Sequence, residues 1–405
     1  MTLSIILRLF RTLADIGPRR LQRRLRYDLR RRLDQLLPAR LAVSWACGNA
    51  SAPQWLPVLR GLEFRDLPQL WPTEPHAVLF HFLQLEQELF WPIRWNDASW
   101  PRLWQFHLHY FDWAREWLEL ALTGGQWPEQ AEQLEPLLDD WILGNPPGRG
   151  DGWHSYTLSL RTRNWIWLFR CCPQLATPQR LDSLWQQLRW LQAHPEHCHG
   201  GNHWLENLTA LALGGLQFAG PQAQVMHQRA MRLLQQELCS QVLADGGHEE
   251  RSASYHLLML DRLVELACCL AVISGERPFW LVSSIEAMVT WTKAVRFESG
   301  TAPRFNDSAV DAAPPLDSVI TFADGYLQQR LGSAGLRSRL LQGATTEPSP
   351  SAPGLNASVS PPAVVTHLPA TGWTILRPGH GWELAFKCGV PCPPHLPPHV
   401  HSDQL

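Results

Sequence analysis

The sequence contains no run of about 18 uncharged apolar residues, which excludes a bilayer-spanning helix by length. It also lacks a net charge of either sign. The 35 Lys+Arg and 37 Asp+Glu leave a formal net charge of -2, so there is no global field of the kind that draws proteins to nucleic acid, and no such partner is expected. Lysine is nearly missing. Only Lys293 and Lys387 occur, so 35 minus 2 leaves 33 Arg, a chain-wide codon preference that carries no functional weight. No paired cysteine framework is present either: the nine Cys are odd in number and scattered through apolar segments. Cys388 and Cys392 form the one close non-adjacent pair, so buried free thiols are expected in place of disulfides or a zinc knuckle. No fixed-period repeat supports a solenoid. At the N-terminus Arg8 follows Ile5-Ile6-Leu7 too soon for a secretory apolar region, and no standard export signal is expected.

Against these absences stand 405 residues that are 45% hydrophobic and 18% charged, a composition that folds and fills more than one domain. Trp numbers 21 against 5 Tyr. Flat apolar rings stack on sugars, although filling helical cores is the simpler account of any single Trp. Residues 1–75 form a basic N-terminal segment. Within 1–40, eleven Arg against Asp15, Asp28 and Asp34 give 11 minus 3, or +8, and Leu21, Leu25, Leu29, Leu33 and Leu37 recur every four residues. That is a basic amphipathic helix, suited to an anionic surface or to docking on the body with its Arg face solvated.

From 76 to 331 apolar residues recur at three and four spacings. The pattern predicts helices near 82–95, 104–122, 129–143, 155–171, 178–194, 202–218, 222–243, 252–273, 278–296 and 316–331. Short Gly- and Pro-marked connections without strands favour antiparallel helical hairpins closing into a toroid. A Gly-, Ser- and Pro-rich linker is expected over 332–365. Over 366–405 the period changes: Gly372 to Arg377 and Trp382 to Lys387 flank Pro378-Gly379-His380-Gly381, a hairpin signature. The expected fold class is therefore mainly α, a toroid of helical hairpins followed by the start of a sheet that is left unfinished.

Four polar clusters interrupt the apolar background. In Phe106-His107-Leu108-His109-Tyr110-Phe111-Asp112-Trp113, His109, Asp112 and Trp113 fall on one helix face. Gly200-Gly201-Asn202-His203-Trp204-Leu205-Glu206 is a turn feeding a helix, whose first-turn N–H donors and polar side chains suit a carboxylate. For Asn202 alone, an N-cap role is the simpler account. The third, Asp245-Gly246-Gly247-His248-Glu249-Glu250-Arg251-Ser252-Ala253-Ser254-Tyr255-His256, runs a loop into a helix; a core Tyr with a satisfied hydroxyl also explains Tyr255. In Pro398-His399-Val400-His401-Ser402-Asp403, alternation sets His399, His401 and Asp403 on one side of an extended segment. Such a set can bind Zn once a further ligand joins it.

Taken in order, HLHYFDW at 107–113, SYTLSLRTRNWI at 155–166, GNHWLEN at 201–207, DGGHEERSASYH at 245–256 and PHVHSD at 398–403 resemble the heparinase II/III family of polysaccharide lyases. The resemblance spans roughly residues 100–405. It implies a mainly α fold, an incomplete α/α toroid followed by the start of an antiparallel β-sandwich, with a cleft between them and an acidic polysaccharide as partner. It also implies that Asn202 neutralises a uronate carboxylate and that His203 and Glu206 lie at the same helix start, Glu206 in contact with substrate. Tyr255 would serve as base, acid or both, His399 as the catalytic His of the sandwich, and His401 as a structural Zn ligand supported by Asp403. His109 and Trp113 would line the cleft. Arg161 and Arg163 would meet acidic sugar groups, an internal salt bridge being the simpler role for either. No organic cofactor is implied. With Asp403 two residues from the last residue, the metal set is expected to be incomplete and the sandwich truncated. The substrate class implies periplasm or cell surface, the missing signal the cytoplasm.

The chemistry follows from the substrate. Removing the C5 proton of a uronic acid adds charge beside a carboxylate, which must first be neutralised by donors. A base then takes the proton, an acid protonates the leaving oxygen, and an unsaturated sugar remains. Two other readings compete: an inverting glycosidase using two of Glu206, Glu249 and Glu250, and a non-catalytic carbohydrate-binding or assembly factor.

Overall fold

The computed structural model describes residues 18–48, 51–56, 77–124, 133–308, 313–329, 364–378 and 381–393. Helices α1 (Pro18–Leu36) and α2 (Ala39–Cys47) come first, then strands β1 (Val78–Phe82) and β2 (Leu85–Leu89). Ten helices follow: α3 (Arg102–Tyr110), α4 (Asp112–Gly124), α5 (Leu134–Gly144), α6 (Ser155–Cys171), α7 (Pro178–Ala193), α8 (Gly201–Gln217), α9 (Pro221–Gln241), α10 (Ala253–Ile273), α11 (Phe279–Val295) and α12 (Leu316–Leu327). Strands β3 (Val364–Leu368), β4 (Trp373–Arg377) and β5 (Leu384–Lys387) come last.

Burial sorts the helices into two rows. In α6, 16 of 17 residues are buried, whereas α9 buries 6 of 21 along one stripe. A helix buried all round is an inner element, and one with a single apolar stripe is outer. The inner helices α4, α6, α8 and α10 pack in succession, while α7, α9 and α11 return outside them, each against the helix before it. Alternating inner and outer helices make an α/α toroid, as expected.

Two expectations are corrected. The segment read as a helix over 82–95 is the β1–β2 hairpin, with Val78 opposite Leu89 and Phe82 opposite Leu85. Its two turn residues, Leu83 and Gln84, take φ of 53° and 61° without a glycine. The helix expected over 104–122 is broken at Phe111, which caps α3 in the left-handed region at φ 63°, and Asp112 then begins α4.

The C-terminal strands form an antiparallel sheet in the order β3-β4-β5. Trp373 and Ile375 of β4 are buried against Ala253, Trp291, Val295 and Phe305, so the sheet closes over the α10–α11 end of the toroid. The Asp245 carboxylate accepts from Thr371 N–H at 2.7 Å and Oγ1 at 2.8 Å, and Arg377 donates to the Arg296 and Ala294 carbonyls at 2.7 and 2.9 Å. Between these anchors lies Gly246, at φ +88°, where a Cβ would stand 2.1 Å from the Ala287 carbonyl oxygen. Gly246→Ala is expected to cost about 2 kcal/mol or more, combining left-handed strain with a backbone clash. A urea midpoint unchanged from the parent would contradict this.

Candidate active site

Gly200 and Gly201, at φ 73° and 53°, turn the chain into α8 with Gly200 as the N-cap. Asn202 is therefore inside the first turn and is not a cap acceptor. Its backbone N–H donates to Glu250 Oε1 at 2.6 Å, and its Nδ2 donates to Oε1 and Oε2 at 3.0 and 2.9 Å. A helix N-terminus and an amide thus converge on a carboxylate, as the first-turn donors predict. The carboxylate is the protein's own Glu250, 1% exposed.

Beside Asn202, His203 is half-buried, its ring 4.3 Å from that of Tyr156. Glu196 faces two imidazoles, His154 Nε2 at 3.5 Å and His203 Nδ1 at 3.6 Å. Burial opposes the charge on His203, but the Glu196, Glu250 and Glu206 carboxylates outweigh it and hold its pKa above the usual histidine value. Burial likewise opposes the charge on Glu196, yet His203, His154 and His199 bring its pKa down to about 2. His154 is pushed the other way, below the usual value, because burial exceeds the pull of Glu196.

The pair gives stability a pH window. A depressed carboxylate stabilises fully above its unfolded pKa of 4.5, and that contribution is lost as pH falls toward about 2. A raised imidazole stabilises fully below 6.5, and its contribution is lost as pH rises through the higher folded pKa. The contribution is thus whole between about pH 4.5 and 6.5. Glu196→Gln is expected to remove about 3 kcal/mol of it and to lower the His203 pKa, read by denaturation across pH and by NMR titration of the imidazole. An unchanged acid limb with an unchanged His203 titration would contradict the pairing.

Tyr255 stands in the first turn of α10, where the Ser252 hydroxyl caps its backbone N–H at 3.4 Å. Its ring is half-buried, and burial, with Asp307 and Glu250 adding to it, pushes the phenol to about 12. Glu250 thus acts on both His203 and Tyr255 while holding Asn202, so its carboxylate is the common neighbour of the three. Burial, then Glu206, Tyr110 and Tyr255, raises the pKa of Tyr156 well above the usual tyrosine value. The Glu250 carbonyl accepts from Asn306, whose Oδ1 accepts from Lys387 of β5, tying the sheet to this loop.

The other expected residues are placed differently. Glu206 is 1% exposed and accepts from Arg262 Nε at 3.0 Å, deep behind His203. His109 and Arg161 are both 0% exposed. Trp141 Nε1 donates to His109 Nδ1 at 3.0 Å. Arg161 donates to Gln187 at 2.8 Å and lies 3.8 Å over the Trp141 ring. Trp113 is buried among Phe80, Phe111 and Trp117, with its Nε1 bonded to the Leu108 carbonyl. The substrate contact expected of His109, Trp113, Glu206 and Arg161 is therefore corrected: all four are buried and offer a sugar no surface. Arg163 pairs with Glu265 and Asp261, the internal salt bridge that was the simpler expectation. His399, His401 and Asp403 lie outside the described residues, and among the described residues no group of three or more His, Cys, Asp or Glu is arranged to hold a metal ion. His154, Tyr156 and Glu196 escaped the sequence reading. The signal was present in Tyr156, which lies inside a quoted segment, and in the histidine-flanked Glu196 just before the Gly-Gly turn.

A cavity of about 300 Å³ opens beside His154, walled by Tyr27 and Arg31 of α1 and by Arg149, Trp153 and Trp190. The rows of helices and the sheet over one end make an α/α toroid with polar groups gathered at the starts of α6, α8 and α10. The heparinase II/III N-terminus model matches residues 83–327 and the heparinase II/III-like C-terminal model residues 360–405. The chain belongs to the heparinase II/III family. A heparin-sulfate lyase of Pedobacter heparinus is 25% identical over 237 residues, 54% of this chain and 34% of that protein. The crystal structure of a heparinase III superposes with a TM-score of 0.54 at 18% identity, over 73% of this chain and 47% of the other. A heparan sulfate lyase mutant from Pedobacter heparinus gives 0.50 at 19%, over 88% and 57%. The chain thus spans about a third of the curated relative and about half of the solved ones.

Proposed function

We propose that the chain is a carbon-oxygen lyase that cleaves a uronic-acid-containing polysaccharide by β-elimination, with heparan sulfate as the leading candidate substrate. The relatives' names point to that polymer. The observation that carries the reading is the gathering of Asn202, His203 and Tyr255 around one carboxylate at the starts of α8 and α10.

Each group has a property that elimination needs. The uronate carboxylate takes the Asn202 amide and the His203 imidazole, whose pKa its acidic neighbours raise. Glu250 holds both the Asn202 backbone N–H and its Nδ2 group, so the amide reaches the substrate by exchanging an Nδ2 bond to Glu250 while the backbone bond keeps it in place. With the substrate charge offset, the C5 proton becomes acidic enough for a base, a role given by resemblance to His399. Tyr255, protonated because its pKa is raised, delivers a proton to the leaving glycosidic oxygen. Arg31, in the adjoining cavity, offers a cation to an acidic group on a neighbouring sugar.

Incubation of the protein with heparan sulfate, heparin and alginate tests this through the ultraviolet absorbance of the new conjugated double bond. A rise with one of them supports elimination. Reducing ends without absorbance would select the glycosidase, and saturable binding without product the non-catalytic factor.

A further inference from the structure

A helix with one apolar and one polar face ordinarily turns the apolar face inward. Helix α1 does the opposite. Arg24, Tyr27, Arg31 and Asp34 recur at three and four spacings and make its docked face. His194 Nε2 donates to Asp34 at 2.5 Å, Arg24 Nη1 lies 3.2 Å from His199 Nε2, and the Tyr27 ring meets His199 edge-on at 6.2 Å. Burial of Tyr27 against the body raises its pKa to about 12. Asp34 and His194 are both buried.

The leucines are left outside. Leu25, Leu29, Leu33 and Leu36 are 61%, 60%, 45% and 82% exposed, on the side of the helix opposite Asp34. Arg26 and Arg30 border this stripe and Arg32 lies within it. On α2, Leu41 and Trp45, four residues apart, are 57% and 72% exposed, while Ala42 and Cys47 face the body.

From this inversion we infer that the outward face of α1 and α2 binds the surface of an anionic lipid bilayer. Leucines enter the acyl boundary, arginines take lipid phosphates at headgroup depth, and Trp45 sits where indole rings favour the interface. Charge and apolarity together select this occupant. A soluble polyanion satisfies the arginines but gives the leucines no apolar phase. A second copy would bring eight Arg less two Asp, +6, against an equal charge. No helix among the described residues is long and apolar enough to cross a membrane, so the contact is peripheral.

Co-sedimentation of the full chain with vesicles of phosphatidylcholine, with and without phosphatidylglycerol, tests the inference. Binding is expected to anionic vesicles, about tenfold or more above neutral ones, falling as salt rises. The triple variant Leu25→Glu, Leu29→Glu, Leu33→Glu is expected to lose about tenfold or more of that binding with its thermal unfolding unchanged, because the three leucines do not pack against the hydrophobic core. No binding to anionic vesicles, or parent-like binding by the variant, would overturn it. So would a concentration-dependent dimer abolished in the variant, which assigns the face to a second copy, or a lowered unfolding temperature, which assigns it to another part of the chain. None of these outcomes depends on lyase activity.

Discussion

Tyr255→Phe is expected to lower turnover on the cleaved polymer by about 10²–10⁴-fold, the usual contribution of a positioned proton donor, with KM nearly unchanged. The substitution removes one oxygen and keeps the ring. The bond from the Tyr255 backbone N–H to Ser252 stays, so the start of α10 does not depend on the hydroxyl. The argument for an acid is electrostatic. Burial together with the Asp307 and Glu250 charges holds the phenol at about 12, so at neutral pH it is a stocked proton donor and a poor free base. The alkaline fall in turnover should accordingly lie above the range of an ordinary tyrosine. Retained turnover in the variant would remove Tyr255 from the reaction; turnover that keeps rising through the tyrosine range, with no alkaline fall, would make it the base.

Arg262→Met should produce the largest loss of stability, about 3–5 kcal/mol. Arg262 donates to Glu206 and to Asp261, both at 3.0 Å, with only 9% of its side chain exposed. Removing it leaves Glu206 buried without its cation and Asp261 with Arg163 at 3.6 Å, and Glu206 Oε2 already has no hydrogen-bond partner. The cost should come chiefly from the stranded charge and only partly from packing, since Met fills much of the same volume. A second change, Glu206→Gln, should therefore recover part of the loss, a coupling that independent sites do not show. Urea unfolding at constant slope reads both effects. A loss below about 1 kcal/mol, or no recovery in the double variant, would contradict the view that Glu206 belongs to the framework.

The helical rows were legible because each long helix repeats its apolar residues over several turns. The α8 and α10 starts carry Gly-Gly and Ser cap signals at the expected places, and with them Asn202, His203 and Tyr255. The β1–β2 hairpin was not legible. Its turn uses Leu83 and Gln84 where Asn-Gly would announce it, and Phe80, Phe82, Leu85 and Leu89 mimic helical spacing. The break at Phe111 was hidden likewise, a left-handed residue with neither Gly nor Pro beside it.

At the site, residue type was legible and depth was not. His109 and Trp113 look like sugar-facing groups in sequence. Only the packing of α5 against α3, and of the β1–β2 hairpin against α4, shows Trp141 donating to His109 and Phe80 covering Trp113. Glu196 joins His154 and His203 across a loop, and no local spacing records a contact that two inner helices create by standing side by side. The polar residues on the inner helices of this toroid thus divide by exposure: Tyr156, His203 and Tyr255 are half-buried, whereas Asn202, Glu206 and Arg161 are buried.

The central claim is that these groups break the sugar chain by elimination without adding water. Digestion of heparan sulfate in water enriched in heavy oxygen, followed by mass spectrometry of the fragments, tests it most directly. Elimination predicts fragments carrying one new double bond at the non-reducing uronate and no heavy oxygen fixed at cleavage. Saturated fragments with heavy oxygen at the newly formed reducing end would mean hydrolysis, and would contradict the account.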